Sequence, residues 1–422
     1  MLIRPKAWQD LAIDYAVNHP YSILGMGPRT GKTCTALGVF ESVGGKCLVL
    51  CPSTLVLHWE SEVRKFLGEH IVVTTIQSGK EIYELVDTDI AIITFDLSKK
   101  AAHFFDWADT VIIDEGHLLK TMHAKRTEYI HKEIFENSIK RLHILTGTPI
   151  ENRVQEWYSL LALVNYDPRM KESEFLKKFP DSITFADYFS HRHEFKMQVN
   201  NRWVKIVRWK GLKNQKELKQ WLRGRYLKIP TKDVFLDEAE ILDIPVSKRA
   251  DPDLLAAFEK FFVEDDSDSV MPAQKAVAAL ATVGFTTQYV KDLVETSGNA
   301  IIYTDHRESC EALAGAFEVP HIHGGVSPNR RESIRKAFQA GERKILVATI
   351  GAFREGQDLT AGADIIINDP SWVPSRLEQV YMRTQGVAQT RARTIHRILG
   401  SPQSKRIYEV LEEKIAVIKR AT

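Results

Sequence analysis

Two acidic residues stand side by side in the stretch VIIDEGHLLK, Val111 to Lys120, directly after an apolar run and just before His117. Paired carboxylates at a strand end suit two tasks: one holds a divalent cation while the other orients and polarises an attacking water. Upstream, the apolar SIL is followed by GMGPRTGKT, Gly25 to Thr33. A strict phosphate-loop pattern calls for glycine where Met26 stands, yet Gly25, Gly27 and Gly31 leave the backbone able to curl, and Gly31-Lys32-Thr33 is intact. Amides from Gly27, Thr30 and Gly31 onward can cradle phosphate oxygens at the start of the next helix. Lys32 can reach the terminal phosphates, and Thr33 can ligand magnesium. Taken alone, the loop also reads as a glycine-rich turn with no ligand, and the acids as a capped strand end. Together they favour a bound polyphosphate with magnesium, Asp114 holding the metal shell and Glu115 the water.

The elements that position these residues alternate. Short β-rich runs (SIL, CLVLC, IVVTTI, IAIITF, TVIID, RLHILT) are separated by segments that can be helical, the pattern of a parallel sheet covered on its faces. The alternation returns from Asn299 onward in AIIYT, KILVAT, ADIIIN and RTIHRIL. The expected architecture is α/β, with two parallel-sheet domains at 1–165 and 251–422 and a mainly helical, basic connector at 166–250. Within the connector, EFKMQVNNRWVKIVRWK alternates about Asn200-Asn201 and reads as a β-hairpin. VEDDSDSV at 263–270 reads as an exposed loop or hinge. In open parallel sheets ligands bind beyond the carboxyl ends of strands, where the glycine loop and the paired acids both fall.

Bulk properties narrow the class. The 422 residues suggest two or three domains, and 44% hydrophobic with 27% charged residues is ordinary for a soluble globular chain. No apolar run approaches the roughly 20 residues that span a bilayer, and the N-terminus lacks the apolar core of a signal peptide. Cys34, Cys47, Cys51 and Cys310 form no CxxC pair and read as thiols of a reducing cytosol. The histidines suggest no ligand cluster, HRH at 191–193 reading as a solvated basic patch. Net charge is only +2, but residues 191–232 hold thirteen Lys or Arg against Glu194 and Glu217, with Trp203, Trp209, Trp221 and Tyr226 interleaved. That composition suits a phosphate backbone with stacking surfaces. A solvated element whose tryptophans face inward is the alternative.

The motifs also carry a family resemblance. GPRTGKT, DEGH and LTGTPIENRVQEWYSLLALV in the first half resemble superfamily two helicases, specifically their Swi/Snf-type branch of DNA translocases. LVLCPSTLVLHWESEVRKF and AIITFD are similar to that branch's intervening motifs. IIYTD, HIHGGVSPNRRESIRKAF and ILVATIGAFREGQDLTAGADIIINDPSWVPSRLEQVYMR follow in family order through the second half. The resemblance spans nearly the whole chain and implies two RecA-like domains that hydrolyse ATP, with Mg2+, between them. FADYF, the hairpin and LRGRYLKIPTKDV are similar to the connector of the annealing-helicase-like subgroup, which implies action on branched or forked DNA.

Position by position, the resemblance implies that Gln9 reads adenine, Lys32 and Thr33 bind phosphates and magnesium, and Asp114 and Glu115 run hydrolysis. Thr146 and Thr148 would link nucleotide state to the DNA track, Gly356 and Asp358 would report on the nucleotide, Gln379 would line the cleft, and Arg383 would reach the phosphates. Thr94, Ser327 and Thr349 stand where family members meet the strand backbone. On the hairpin, Arg202, Lys205 and Arg208 are the candidate phosphate contacts. One position departs from the pattern: Gly386 stands where the family places an arginine finger, a group worth roughly 10³–10⁵ in rate. Arg383 alone, or Arg391 or Arg393 nearby, would have to serve. The expected function is a monomeric, cytoplasmic bacterial or viral DNA motor with largely sequence-independent contacts and no membrane partner, serving replication, recombination or repair. The alternatives are an RNA helicase of the same superfamily and a nucleotide-gated DNA clamp with little turnover.

Overall fold

The computed structural model describes residues 1–76, 87–137, 139–167, 173–199, 202–234, 239–246, 272–352, 359–385, 389, 391–400 and 402–422. The 263–270 stretch therefore lies outside the described residues. The chain divides into two compact units, residues 1–236 with 414–422, and residues 237–413.

The first unit is built on seven strands: β1 (Tyr21–Met26), β2 (Cys47–Cys51), β3 (Val73–Ile76), β4 (Ile90–Thr94), β5 (Thr110–Ile113), β6 (Arg141–Thr146) and, after the hairpin strands β7 (His191–Val199) and β8 (Arg202–Lys210), β9 (Tyr226–Ile229). The order across the sheet is β3-β4-β2-β5-β6-β1-β9, with every pairing parallel. Strands β1, β2, β4 and β5 are buried along their whole length, which is why they read as continuous apolar runs. Helix α1 (Ala7–Asn18), α2 (Lys32–Val43) and α3 (Val56–Leu67) pack through Ala12, Leu37, Trp59 and Val63 against one face. Trp157, Leu160 and the aromatic cluster of Phe175, Phe179, Phe185 and Phe189 cover the other.

The division departs from the expected domain boundaries. β9 lies beside β1 in the N-terminal sheet, with Ile23 opposite Tyr226 and Met26 opposite Ile229. Most of the basic connector is thus continuous with the first unit. The final residues also belong there, the Ala421 carbonyl accepting a hydrogen bond from the Trp157 indole at 3.1 Å.

The second unit carries a six-stranded parallel sheet ordered β10-β15-β14-β11-β13-β12, comprising β10 (Glu240–Pro245), β11 (Ala300–Thr304), β12 (His321–Ile322), β13 (Ile345–Thr349), β14 (Asp364–Ile367) and β15 (Thr394–Leu399). Ile301, Tyr303, Ile365, Ile367 and Phe338 fill one side of it. No helix among the described residues is long and apolar enough to cross a membrane.

Candidate nucleotide site and nucleic-acid interface

The parallel register brings the chemistry to the carboxyl ends of adjacent strands in the first sheet. Gly25 on β1 is opposite Thr146 on β6, and β5, which ends at Ile113 just before the acids, lies on the far side of β6. The glycine loop, Asp114-Glu115 and Thr146 to Thr148 therefore leave neighbouring strands side by side.

Within the loop each glycine has its own reason. Gly31 caps α2 with φ +86, and a Cβ there would also lie 2.0 Å from Gln9 Nε2. Gly25 and Gly27 have no such backbone need and are forced small by the connector: a Cβ would fall 2.3 Å from the Tyr226 ring and 2.2 Å from Thr231 Oγ1, respectively. Thr231 donates to the Pro28 carbonyl at 3.0 Å, and Gly27 N–H donates to the Ile229 carbonyl at 2.8 Å. The end of β9 thus closes over the glycine loop, a role for Thr231 that its place in a distant basic segment gave no reason to expect. Gln9 Nε2 and the Trp8 indole both donate to the Thr30 carbonyl, at 3.2 and 2.9 Å, and Thr30 Oγ1 donates to the Gly27 carbonyl at 2.8 Å. Lys32 and Thr33 occupy the first turn of α2, half-buried.

Asp114 is 4% exposed. Its two oxygens are held separately, Oδ2 accepting from the Trp59 indole at 2.8 Å and Oδ1 from Glu115 N–H at 2.8 Å. Burial, with Glu115 alongside, pushes its carboxyl up to about 6 against the pull of Lys32 and the two hydrogen bonds. Glu115 sits at φ 48, ψ 50, a left-handed conformation that residues with side chains rarely adopt. Its Oε2 lies 3.2 Å from His117 Nδ1, which in turn lies 3.5 Å from Thr146 Oγ1. Thr148 N–H donates to Thr146 Oγ1 at 3.1 Å, completing a run from the second acid to the loop after β6. That loop is anchored by an ion pair of Lys120 with Glu151 and by Glu156, which accepts from the amides of Glu151 and Asn152 at 2.6 and 3.0 Å. Asp114, raised first by burial and then by Glu115, would be relieved by a divalent cation, and with the Thr33 hydroxyl and Lys32 these residues fit a magnesium-bound triphosphate. Trp59 and His117 are the partners that motif reading left without a role.

In the second unit Gln379 lies half-buried on the helix Pro374–Tyr381, and Arg383 follows in a 3-10 turn whose Arg383 carbonyl accepts from Leu359 N–H at 3.1 Å. Gly356, Asp358 and Gly386 lie outside the described residues. Arg391 and Arg393, the two substitutes for the missing finger, are engaged inside this unit. The Arg391 guanidinium donates to the carbonyls of Ser297 (2.7 Å) and Ala361 (2.6 Å) and to Asn299 Oδ1 (2.7 Å). Arg393 is 3% exposed and donates to the Tyr381 carbonyl at 3.1 Å.

The expectation that no histidines gather is corrected here. His321 and His323, two apart at β12, stack at 5.1 Å and stand with Glu311 of the helix Arg307–Phe317 in one group of possible ligands. A metal does not suit them. Gly325 N–H donates to His323 Nδ1 at 2.9 Å, leaving the ring proton of the neutral imidazole on Nε2, and Arg307 already binds Glu311 at 2.7 Å.

Among the candidate nucleic-acid residues, Thr94 and Thr349 end β4 and β13 at 5% and 9% exposure, whereas Ser327 is exposed at the start of the helix Pro328–Gln339. The hairpin forms with nine residues per strand and begins at His191, so the HRH patch is part of β7, and all three of its residues are exposed. Lys205 and Arg208, three apart on one strand, take opposite faces: Lys205 pairs with Glu194 at 2.5 Å, and Arg208 stacks 5.0 Å over the Phe195 ring. The side chain of Arg202 lies outside the described residues. The aromatic residues also divide. Trp221 packs on Phe175 at 5.3 Å, Tyr226 on Trp157 at 5.1 Å, and Trp209 donates to Asp187 at 2.6 Å, but Trp203 is 70% exposed.

A model of the SNF2-related domain matches residues 11–243, and one of the helicase conserved C-terminal domain matches residues 286–385. The chain is similar to an uncharacterized ATP-dependent helicase, YqhH, of Bacillus subtilis, at 24% identity over 90% of this chain and 72% of that protein. It is 25% identical to the SWI/SNF-related matrix-associated actin-dependent regulator of chromatin subfamily A-like protein 1 of Xenopus tropicalis, over 94% of this chain but 42% of the relative. Among solved structures, the SWI2/SNF2 ATPase core of Sulfolobus solfataricus in complex with dsDNA aligns over 99% of both chains with a TM-score of 0.47 and 19% identity. With more than half of its length matched by the first of these domains, the chain belongs to the SNF2-related family of ATP-dependent helicases.

Proposed function

We infer that the chain hydrolyses ATP to drive movement along duplex DNA and acts at forked or branched DNA in replication, recombination or repair. The observation that carries this reading is the meeting, at the carboxyl ends of adjacent strands of one sheet, of a glycine loop, an Asp114 raised by its burial and by Glu115, and Glu115 held in left-handed backbone beside His117. Lys32 and the first amides of α2 would bind and orient the triphosphate, and Thr33 with Asp114 would hold magnesium, which when bound neutralises developing charge on the phosphates. Glu115, positioned through His117, would orient water for in-line attack. Gln379 and Arg383 of the second unit would act on the nucleotide, and Thr94, Ser327 and Thr349 would meet the DNA backbone; motif position supports these assignments. Contacts that go to phosphate position the protein without reading sequence, so binding would weaken steeply with salt.

The test is ATP turnover with and without duplex, forked and single-stranded DNA, and with RNA. The reading requires DNA-stimulated turnover that Lys32→Ala and Glu115→Gln abolish. Stimulation by RNA alone would overturn it. A second reading, a nucleotide-gated DNA clamp, is favoured by one observation: residue 386 is glycine while Arg391 and Arg393 are both tied up in internal hydrogen bonds. Nucleotide-dependent DNA binding without sustained turnover would select it.

A further inference from the structure

Among the described residues the hairpin strands β7 and β8 pair only with each other, so neither outer edge carries a third strand. Residues directly opposite in an antiparallel pair share a face. One face therefore holds, from the base outward, Arg192 opposite Trp209, Glu194 opposite Val207, Lys196 opposite Lys205, and Gln198 opposite Trp203. Its base is fixed: Asp187 accepts from Trp209 and from Arg192, and Glu194 bridges Arg192 (2.9 Å) and Lys205 (2.5 Å). Further out, Lys196 stands directly opposite Lys205, both exposed; Glu194 is shared between Lys205 and Arg192, so this one carboxylate leaves net positive charge on the face for a further anion to meet. One pair further out is Trp203, 70% exposed, a large apolar ring left in water where such rings are normally covered.

The Lys205-to-Trp203 step is two residues, about 7 Å along an extended strand, within the reach of a single nucleotide from its phosphate to its base. A paired base keeps its faces inside the duplex stack; an unpaired one exposes them. We propose that this face is a docking platform for an unpaired DNA strand, with Trp203 stacked on a base and Lys196 and Lys205 bracketing the adjoining phosphate. The proposal deepens, and rests on, the reading of the chain as a motor at forked DNA. It assigns the hairpin to the separated strand, leaving duplex tracking to the two α/β units.

The experiment measures binding of labelled oligothymidine and of a blunt duplex of equal length, by anisotropy, for the wild type, Trp203→Ala, Trp203→Phe and Lys196→Gln. One base stack corresponds to ~1–3 kcal/mol, so Trp203→Ala should weaken oligothymidine binding by about 5–150-fold. Trp203→Phe should recover most of the loss, and blunt-duplex affinity and duplex-stimulated ATP turnover should stay within about twofold. Lys196→Gln should lower the single-strand salt slope by about 0.7. Unchanged oligothymidine binding in Trp203→Ala overturns the proposal, since the face would then serve some other macromolecule; equal losses on single-stranded and duplex DNA overturn it as well. The motor reading is scored separately by DNA-stimulated turnover of the wild type, so each idea can fail without the other.

Discussion

Asp114 offers a test that needs no ligand. The carboxyl titrates near 3.8 in an unfolded chain and at about 6 in the folded protein, because burial and Glu115 oppose its ionisation. Below the lower value both states are protonated and the folded protein has no penalty. Through the upper value the folded protein must ionise a buried group, so the stability is lost as pH rises. A displacement of about two pK units corresponds to ~3 kcal/mol at ~1.36 kcal/mol each. Replacement by asparagine removes the titration but creates a donor conflict, since the Trp59 indole and the Glu115 amide each donate to a separate carboxylate oxygen and an amide offers only one acceptor. That conflict costs about 1–3 kcal/mol at every pH. Urea denaturation in EDTA, without nucleotide, from pH 4 to pH 8 separates the two contributions. The stability of wild type minus Asp114→Asn should fall by roughly 2 kcal/mol as pH rises from 4 to 7, the rest of the loss lying below pH 4. The fall belongs to the Asp114–Glu115 pair, because the variant also frees Glu115 from its neighbour's charge. A difference that is flat with pH, or that grows with it, would refute the account of a buried, charge-starved acid.

Three further outcomes follow from the packing. Gly27→Ala sets a Cβ against Thr231 Oγ1 and its backbone nitrogen, an overpacking of about 1–3 kcal/mol, and should weaken nucleotide affinity at least tenfold in equilibrium titration. Thr231→Gly removes only the hydroxyl half of that clash and should restore affinity in part. Trp59→Phe keeps the ring but drops the bond to Asp114, so the gain in nucleotide affinity on adding magnesium should shrink roughly tenfold, a charged hydrogen bond being worth ~1.5–3 kcal/mol, with magnesium-free affinity unchanged. Arg391→Ala strands the acceptors on Ser297, Asn299 and Ala361 and should cost at least ~2 kcal/mol in denaturation experiments, with turnover per folded molecule unchanged. A stable Arg391→Ala protein that loses only turnover would instead make that arginine the missing finger.

The strands that place the site were legible because they are wholly buried. CLVLC, IAIIT and AIIYT are unbroken apolar runs, and the structure begins and ends them within a residue of that signal. β9 was not, since Tyr226, Leu227 and Lys228 alternate weakly over four residues at a sheet edge. Missing β9 concealed the reason for Gly25 and Gly27, whose constraint comes from residues some two hundred positions away. The hairpin's existence was readable from its alternation, but not which tryptophan stays in water, because Trp209 and Trp203 share a face and differ only in whether Asp187 is near. The fates of Arg391 and Arg393 likewise depend on carbonyls that only the folded second unit gathers.

The edge strand β9 also makes the first unit a mechanical device. It runs parallel to β1, the strand that becomes the phosphate loop, and is reached directly from the hairpin through the helix Gln215–Leu222. Drag on the hairpin would load the β1–β9 ladder in shear, with its rungs sharing the force, and pass it to the Thr231–Pro28 clasp. Load on the hairpin would therefore reach the glycine loop between β1 and α2 through residues far from it in sequence.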